Sequence, residues 1–276
     1  SLNPVEANQT WLIDETEKFC KDKAVYNAIM DSIQIIDGSD KARSKDALPT
    51  LLSDALAVGF DTNIGHDYIE NADDRFDFYN RVEEKIPFDL EFFNKITDGG
   101  LPNKTLNIAL AGTGVGKSLF MCHMSAAALS QGKNVLYITL EMAEERIAER
   151  IDANLMNVPI QDLKDLPKKM FDDRVTKIKN KIDGKLIIKE YPTASAHAGH
   201  FKALLQELKL KRSFTPDIIF IDYLNICTSQ RFRAGSIATS YTIIKSIAEE
   251  LRGLAVEHDL PIVSATQTTR SGYGSS

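Results

Sequence analysis

Residues 111–120 read AGTGVGKSLF and stand between an apolar run, TLNIAL, and a helical one, MCHMSAAALS. Three glycines, a lysine and a serine in that setting suit the wrapping of phosphates. A chain that leaves a buried strand and enters a helix presents clustered backbone N–H groups to an anion, and glycines let the backbone approach it and take positive φ. Gly112, Thr113, Gly114, Val115 and Gly116 would form the cradle, Lys117 would reach the β- and γ-phosphates, and the Ser118 hydroxyl would ligate Mg²⁺. The expected cofactors are therefore ATP and Mg²⁺. The strict pattern G-x-x-x-x-G-K-[ST] asks for glycine where this chain has Ala111. Gly112 to Gly114 also suits a dinucleotide fingerprint, but Lys117 and Ser118 stand where that fold has small or apolar side chains.

A phosphate loop of this kind works with a carboxylate from a second strand. Asp222 follows four apolar residues, Ile218 to Ile221, at the carboxyl end of a run, the edge where open α/β sheets bind ligands. Metal binding and strand capping are its two readings. Asp217, at the other end of that run, reads as a strand-start residue. Glu141 ends NVLYITLE, the next strand after the loop helix. It suits a group that orients an attacking water, or a cap for the helix beginning near Ala143. The last apolar run, LPIVSATQTTR, ends in Gln267 and Arg270. Gln267 suits a γ-phosphate sensor or an ordinary surface residue.

These side chains need a sheet to hold them. From about Thr105, short apolar runs alternate with helical segments: TLNIAL, NVLYITL, GKLIIKE, PDIIFIDYL and LPIVSAT, with a long helix expected from Ala143 and others near 197–211 and after Ser240. Apolar strands without alternation are buried on both faces, as in a parallel sheet covered by helices. The pattern predicts a doubly wound α/β domain over residues 91–276. Ahead of it, residues 10–36 read as a helix, and 46–60 as a short amphipathic one with Pro49 in its first turn. That short helix has little core of its own, so it docks either on its own domain or on another subunit. Residues 71–87 read as a charged, helical connector. The division expected is 1–45, 46–90 and 91–276.

Composition narrows the classes. No apolar run approaches the roughly 20 residues that span a bilayer, so no membrane partner is expected. Cys20, Cys122 and Cys227 are isolated, which suits a reducing compartment, read as the cytoplasm, and argues against zinc. His197 and His200 could pair on a helix but lack a third ligand, so they read as surface or capping residues. The net charge of −6 is uneven: residues 1–90 carry 9 Lys and Arg against 19 Asp and Glu, the rest 24 against 20. A nucleic-acid partner thus depends on local basic loops. Residues 228–241, TSQRFRAGSIATSY, set Arg231 and Arg233 around Phe232, suited to a solvated loop or to single-strand phosphates with a stacked base.

Together AGTGVGKS, YITLEM, IDYLNI, SATQTTR and IPFDLEFFNKITDGGLPNKTL resemble the RecA-like ATPase domain of DnaB-like hexameric replicative helicases, over about residues 48–276. That family often has alanine at the position of Ala111. The resemblance implies ATP-dependent unwinding of DNA by a homo-oligomeric, hexameric ring moving 5′ to 3′ on single-stranded DNA, with primase and a helicase loader among its partners. It implies catalytic roles for Lys117, Glu141 and Gln267, metal roles for Ser118 and Asp222, and DNA contact through Arg231, Arg233 and Arg270, the last in a second DNA loop. It likens helix 46–60 to the linker by which one subunit grips the next. Members carry a longer N-terminal domain and an arginine finger on later strands; on that pattern, 1–45 is a remnant, the ATPase domain lacks its C-terminal part, and hydrolysis by this chain alone should be weak, the finger being worth roughly 10³ in rate. Two other functions suit the same residues: a RecA-like recombinase filament, and a nucleotide-gated assembly module with little hydrolysis.

Overall fold

The computed structural model describes residues 9–40, 43, 45–59, 67–81, 83–232 and 239–267. The chain divides after Arg81 into two compact units. In the first, α1 (Gln9–Asp37) runs for 29 residues and α2 (Leu48–Leu56) packs along it. Within this chain the short helix thus packs on its own unit. Pro49 lies in the first turn of α2, where no N–H is missed. The helix ends before the predicted residue 60: the Ala57 N–H closes the last turn on the Ser53 carbonyl at 3.0 Å. Phe60 lies outside the described residues. The charged connector contains α3 (Ala72–Asn80), which opens with Asp73 and Asp74 at the positive end of its dipole.

The second unit begins with β1 (Lys85–Ile86), paired antiparallel with β2 (Leu101–Pro102), and α4 (Glu91–Ile96) lies between them in sequence. A boundary at residue 91 therefore cuts a paired element, whereas the compact unit starts ahead of β1. Gly100 has φ +134°, and a Cβ there would lie 2.3 Å from the Ile86 carbonyl oxygen and 2.7 Å from Pro87 Cα. Both obstacles are backbone and cannot turn aside. Gly100→Ala should destabilise the unit by about 3 kcal/mol, read as a lower denaturant midpoint; an unchanged midpoint would contradict this.

The central sheet contains β3 (Leu106–Ala111), β4 (Val135–Thr139), β5 (Leu186–Glu190), β6 (Ile218–Asp222) and β7 (Ile262–Gln267), all parallel, in the order β3-β7-β6-β4-β5. Helices α5 (Lys117–Ser130) and α6 (Glu144–Met156) bury Met121, Ile147 and Ile151 against Tyr137, Ile218 and Phe220. On the other face, α8 (Ala198–Arg212) and α9 (Ser240–Glu257) bury Phe201, Leu205 and Leu251 against Leu136, Ile138, Ile219 and Ile221. Alternate residues of β4 and β6 thus enter opposite cores, which is why those runs are apolar throughout. This is the doubly wound arrangement that the alternating pattern predicts.

Two expectations need correction. The long helix from Ala143 is broken: Asn157 takes a left-handed conformation (φ 52°) after α6, a 3₁₀ turn spans Ile160–Asp165, and α7 (Lys168–Lys181) follows. Pro159 and Pro167 stand immediately before the second and third pieces, where they cannot continue a preceding helix. The run TLNIAL is also not buried on both faces. Ile108 and Leu110 of β3 are 42% and 68% exposed, at the edge of the sheet.

Candidate functional site

The order of strands decides what meets at the carboxyl edge of the sheet. β3, β7, β6 and β4 are successive neighbours, and their ends carry the phosphate loop, Gln267, Asp222 and the turn to Glu141. Ala111 pairs with Gln267 across β3 and β7, and Thr139 with Asp222 across β4 and β6. Residues up to 156 apart in sequence are thereby brought to one edge.

The loop has the conformation its glycines allow. Gly114 and Gly116 have φ of 73° and 99°, a region that costs an L side chain strain. Gly116 is the N-cap of α5, whose first turn has no side-chain cap and no acidic residue, so its amides point at the loop without a competing carboxylate. Lys117 donates from Nζ to the Gly112 carbonyl at 2.9 Å, and the same ammonium lies 5.7 Å from the centre of the Tyr223 ring. The lysine is thus folded back over its own loop.

Asp222 is fully buried, at 0% exposure. Its Oδ2 accepts a hydrogen bond from the Tyr137 hydroxyl at 3.0 Å, while Oδ1 has no hydrogen-bond partner among the described residues. Burial pushes the carboxyl above its usual range, and the charge of Glu141 adds to that. The hydroxyls of Ser118 and Tyr137, and the charge of Arg150, pull the other way. Ser118 is therefore close to the carboxylate, though it closes no hydrogen bond to Oδ1. A buried carboxylate oxygen without a partner is costly unless something absent from the protein chain meets it. Behind Tyr137, the Cys122 thiol points at the phenol oxygen at 3.8 Å. Burial pushes that thiol up to about 11 and the phenol well above its usual value, so both stay protonated near neutrality.

Glu141 is exposed and makes no side-chain hydrogen bond among the described residues. The helix-capping reading does not hold: α6 begins at Glu144 with Ala143 as its N-cap, and no side chain caps it. Instead Glu141 acts electrostatically on Asp222 and on Tyr223, which places it at the same edge. The turn that presents it is clamped by Thr139, whose hydroxyl donates to the Met142 carbonyl (2.8 Å) and accepts from the Met142 N–H (3.0 Å). Gln267 is held through Asn225, which accepts from the Thr266 hydroxyl at 2.7 Å and from the Gln267 N–H at 3.4 Å. The Ser264 hydroxyl also donates to the Ile221 carbonyl at 2.7 Å, adding a side-chain tie between the paired strands of the sensor candidate and of Asp222.

Arg231 is described, and its guanidinium is ion-paired with Glu249 of α9. The loop base beside it hangs on Glu250, which accepts from the Ser229 hydroxyl (2.5 Å) and twice from the Gln230 N–H (3.1 Å each). Arg233 and Arg270 lie outside the described residues. His197 caps α8, accepting from the Gly199 N–H at 3.1 Å, and the His200 ring returns the contact to the His197 N–H at 3.3 Å. Sequence reading missed Tyr137, Thr139, Asn225 and the Glu249–Glu250 pair. A tyrosine flanked by Leu136 and Ile138 inside a buried run is the one local signal that pointed to any of them.

The sequence profile described as the DnaB-like helicase C terminal domain matches residues 86–274, the span that holds every one of these groups. Over 280 aligned residues the chain is 42% identical to a DnaB-like replicative helicase of Enterobacteria phage T4, covering 98% of this chain and 59% of that protein. The chain therefore spans about three fifths of that relative's length. Two solved structures share the fold, each with a TM-score of 0.58 and 16% identity. One is a DnaB-like replicative helicase studied with its primase interactions, matched over 97% of this chain and 63% of that one; the other is an isolated ATPase domain, matched over 75% and 73%. A glycine-rich loop, a buried aspartate with one oxygen unpartnered among the described residues and an exposed glutamate on one sheet edge agree with that match, and the chain belongs to the DnaB-like helicase C-terminal domain family.

Proposed function

We propose that this chain is the ATP-driven motor domain of a replicative DNA helicase, acting as a ring of copies, a hexamer by family likeness, on single-stranded DNA inside a host cell. The observation that carries the reading is Asp222: a buried carboxylate with one oxygen unpartnered, beside Ser118 at the mouth of a phosphate loop. That donor set, one carboxylate oxygen and one hydroxyl, fits the hard, oxygen-seeking Mg²⁺ that accompanies a nucleotide. When bound, the ion would neutralise charge across β- and γ-phosphate oxygens. The loop amides of 112–118 hold the phosphates, and Lys117 exchanges the Gly112 carbonyl for them. Glu141 orients the attacking water from the neighbouring strand. Gln267 reports the γ-phosphate, and Asn225 passes its position to the segment after Asp222 that leads to Arg231. Primase and loader contacts are carried over from family likeness alone. Residues 1–45 and 46–90 serve assembly on this reading.

Single-stranded DNA competes with Glu249 for Arg231. Hydrolysis of Mg²⁺-ATP should therefore rise on adding single-stranded DNA. Arg231→Ala should weaken that binding several-fold and flatten its salt dependence, the slope falling by about one phosphate contact. Glu249→Gln, which frees the same arginine, should tighten binding. Fluorescence anisotropy with a labelled oligonucleotide over a salt series separates the two signs. Turnover that ignores DNA would favour the nucleotide-gated assembly module, and an open filament on DNA instead of a closed ring would favour the recombinase.

A further inference from the structure

Tyr137 is fully buried, yet it carries a hydroxyl in a strand whose neighbours are aliphatic. In the β4–β6 register it stands opposite Phe220, on which its ring stacks with centroids 6.0 Å apart and planes at 14°. A phenylalanine would fill that place and make the same stack without a polar atom to satisfy. The hydroxyl instead reaches diagonally across the sheet to Asp222 Oδ2, at 3.0 Å, while its oxygen receives the Cys122 thiol at 3.8 Å. Thiol, phenol and carboxylate form a directed chain that ends on the acid.

We propose that Tyr137 is a positioning residue for the metal-binding carboxylate: by pinning Oδ2 it fixes the rotation of Asp222 and leaves Oδ1 as the only oxygen turned to the nucleotide edge. This rests on the reading of Asp222 as the Mg²⁺ ligand. The terminal torsion of an aspartate is broad, so a buried carboxylate with neither oxygen held samples orientations that do not serve the ion. Thr139 stands directly opposite Asp222 in the register and cannot substitute, because its hydroxyl is committed on both sides to Met142. The arrangement follows a general habit of metal sites, in which a group that does not touch the ion orients one that does.

The test uses a fluorescent, non-hydrolysable ATP analogue and reads affinity, first in EDTA and then over a Mg²⁺ titration. Tyr137→Phe should leave the EDTA affinity within about twofold and raise the Mg²⁺ concentration at half-maximal enhancement roughly tenfold. Tyr137→Met, which also lacks the hydroxyl, should shift that midpoint in the same direction. Leu205→Ala removes packing from the core on the other face of the sheet, away from Tyr137 and Asp222, and should leave the midpoint within about twofold. A role confined to core packing would move melting temperatures and leave the Mg²⁺ midpoint alone, and that result from folded Tyr137→Phe or Tyr137→Met overturns the proposal. If the parent chain itself shows no Mg²⁺ enhancement, the assignment of Asp222 fails with it; a normal parent with unshifted variants sinks only the role of Tyr137.

Discussion

Glu141→Gln lowers ATP turnover roughly 10³-fold and leaves nucleotide affinity within about twofold. The two readouts separate because of where Glu141 sits. It is exposed, makes no side-chain hydrogen bond among the described residues, and is not part of the glycine-rich loop. Its charge is felt at Asp222 and Tyr223, which puts it at the sheet edge where, on the proposed reading, the γ-phosphate would lie. Glutamine keeps the size and removes the capacity to take a proton or to hold a water by a full negative charge. Removing that charge also relieves one of the pressures that raise the Asp222 carboxyl, so nucleotide binding with Mg²⁺ should not weaken. Lys117→Ala provides the contrast: the ammonium is the loop's only positive side chain, and without it both binding and turnover collapse. Single-turnover hydrolysis and analogue binding, measured side by side, decide the matter. Equal losses in both for Glu141→Gln would make the glutamate a binding residue and leave the attacking water without an assigned partner.

The candidate residues gathered at this edge were readable in the sequence because their signals are local. A glycine-rich loop between strand and helix, and acids placed one step beyond apolar runs, announce themselves within ten residues. The same is true of the doubly wound fold, since unbroken apolar runs in β4 and β6 can only be satisfied by two cores. What stayed hidden is set by register and by strand order. Nothing in the run VLYIT says that its tyrosine will lie diagonal to an aspartate 85 residues away. Nor does RFR reveal that Arg231 will meet a glutamate of α9, 18 residues on. The break between α6 and α7 was missed for a different reason. Pro159 and Pro167 were visible, but the charged residues around them kept a helical rhythm that masked the interruption. Hydrophobicity reports what a strand is able to bury, not what is there to cover it: at the sheet edge Leu110 stays 68% exposed among the described residues.

That contrast sets the largest effect on stability. Phe220 and Leu110 are both apolar residues of parallel strands flanking the site, and sequence treats them alike. Phe220 is fully buried in the middle of β6, stacked on Tyr137 and enclosed by α5 and α6. Leu110 is 68% exposed on β3. Phe220→Ala should cost about 4 kcal/mol, through lost transfer energy and the cavity left among rigid strands. Against the roughly 5–15 kcal/mol that holds a domain folded, that is a large share, and it should lower the melting temperature by about 10 °C. Leu110→Ala should stay within about 0.5 kcal/mol of the parent. The loss at Phe220 also reaches the chemistry, because the ring it removes is the platform that aims the Tyr137 hydroxyl at Asp222. Where Phe220→Ala still folds, its Mg²⁺ midpoint for nucleotide should rise, whereas a destabilised variant on the opposite face, such as Leu251→Ala, should match it in lost stability and keep the parent midpoint. Equal midpoints in the two would mean that the sheet holds Asp222 by its backbone alone.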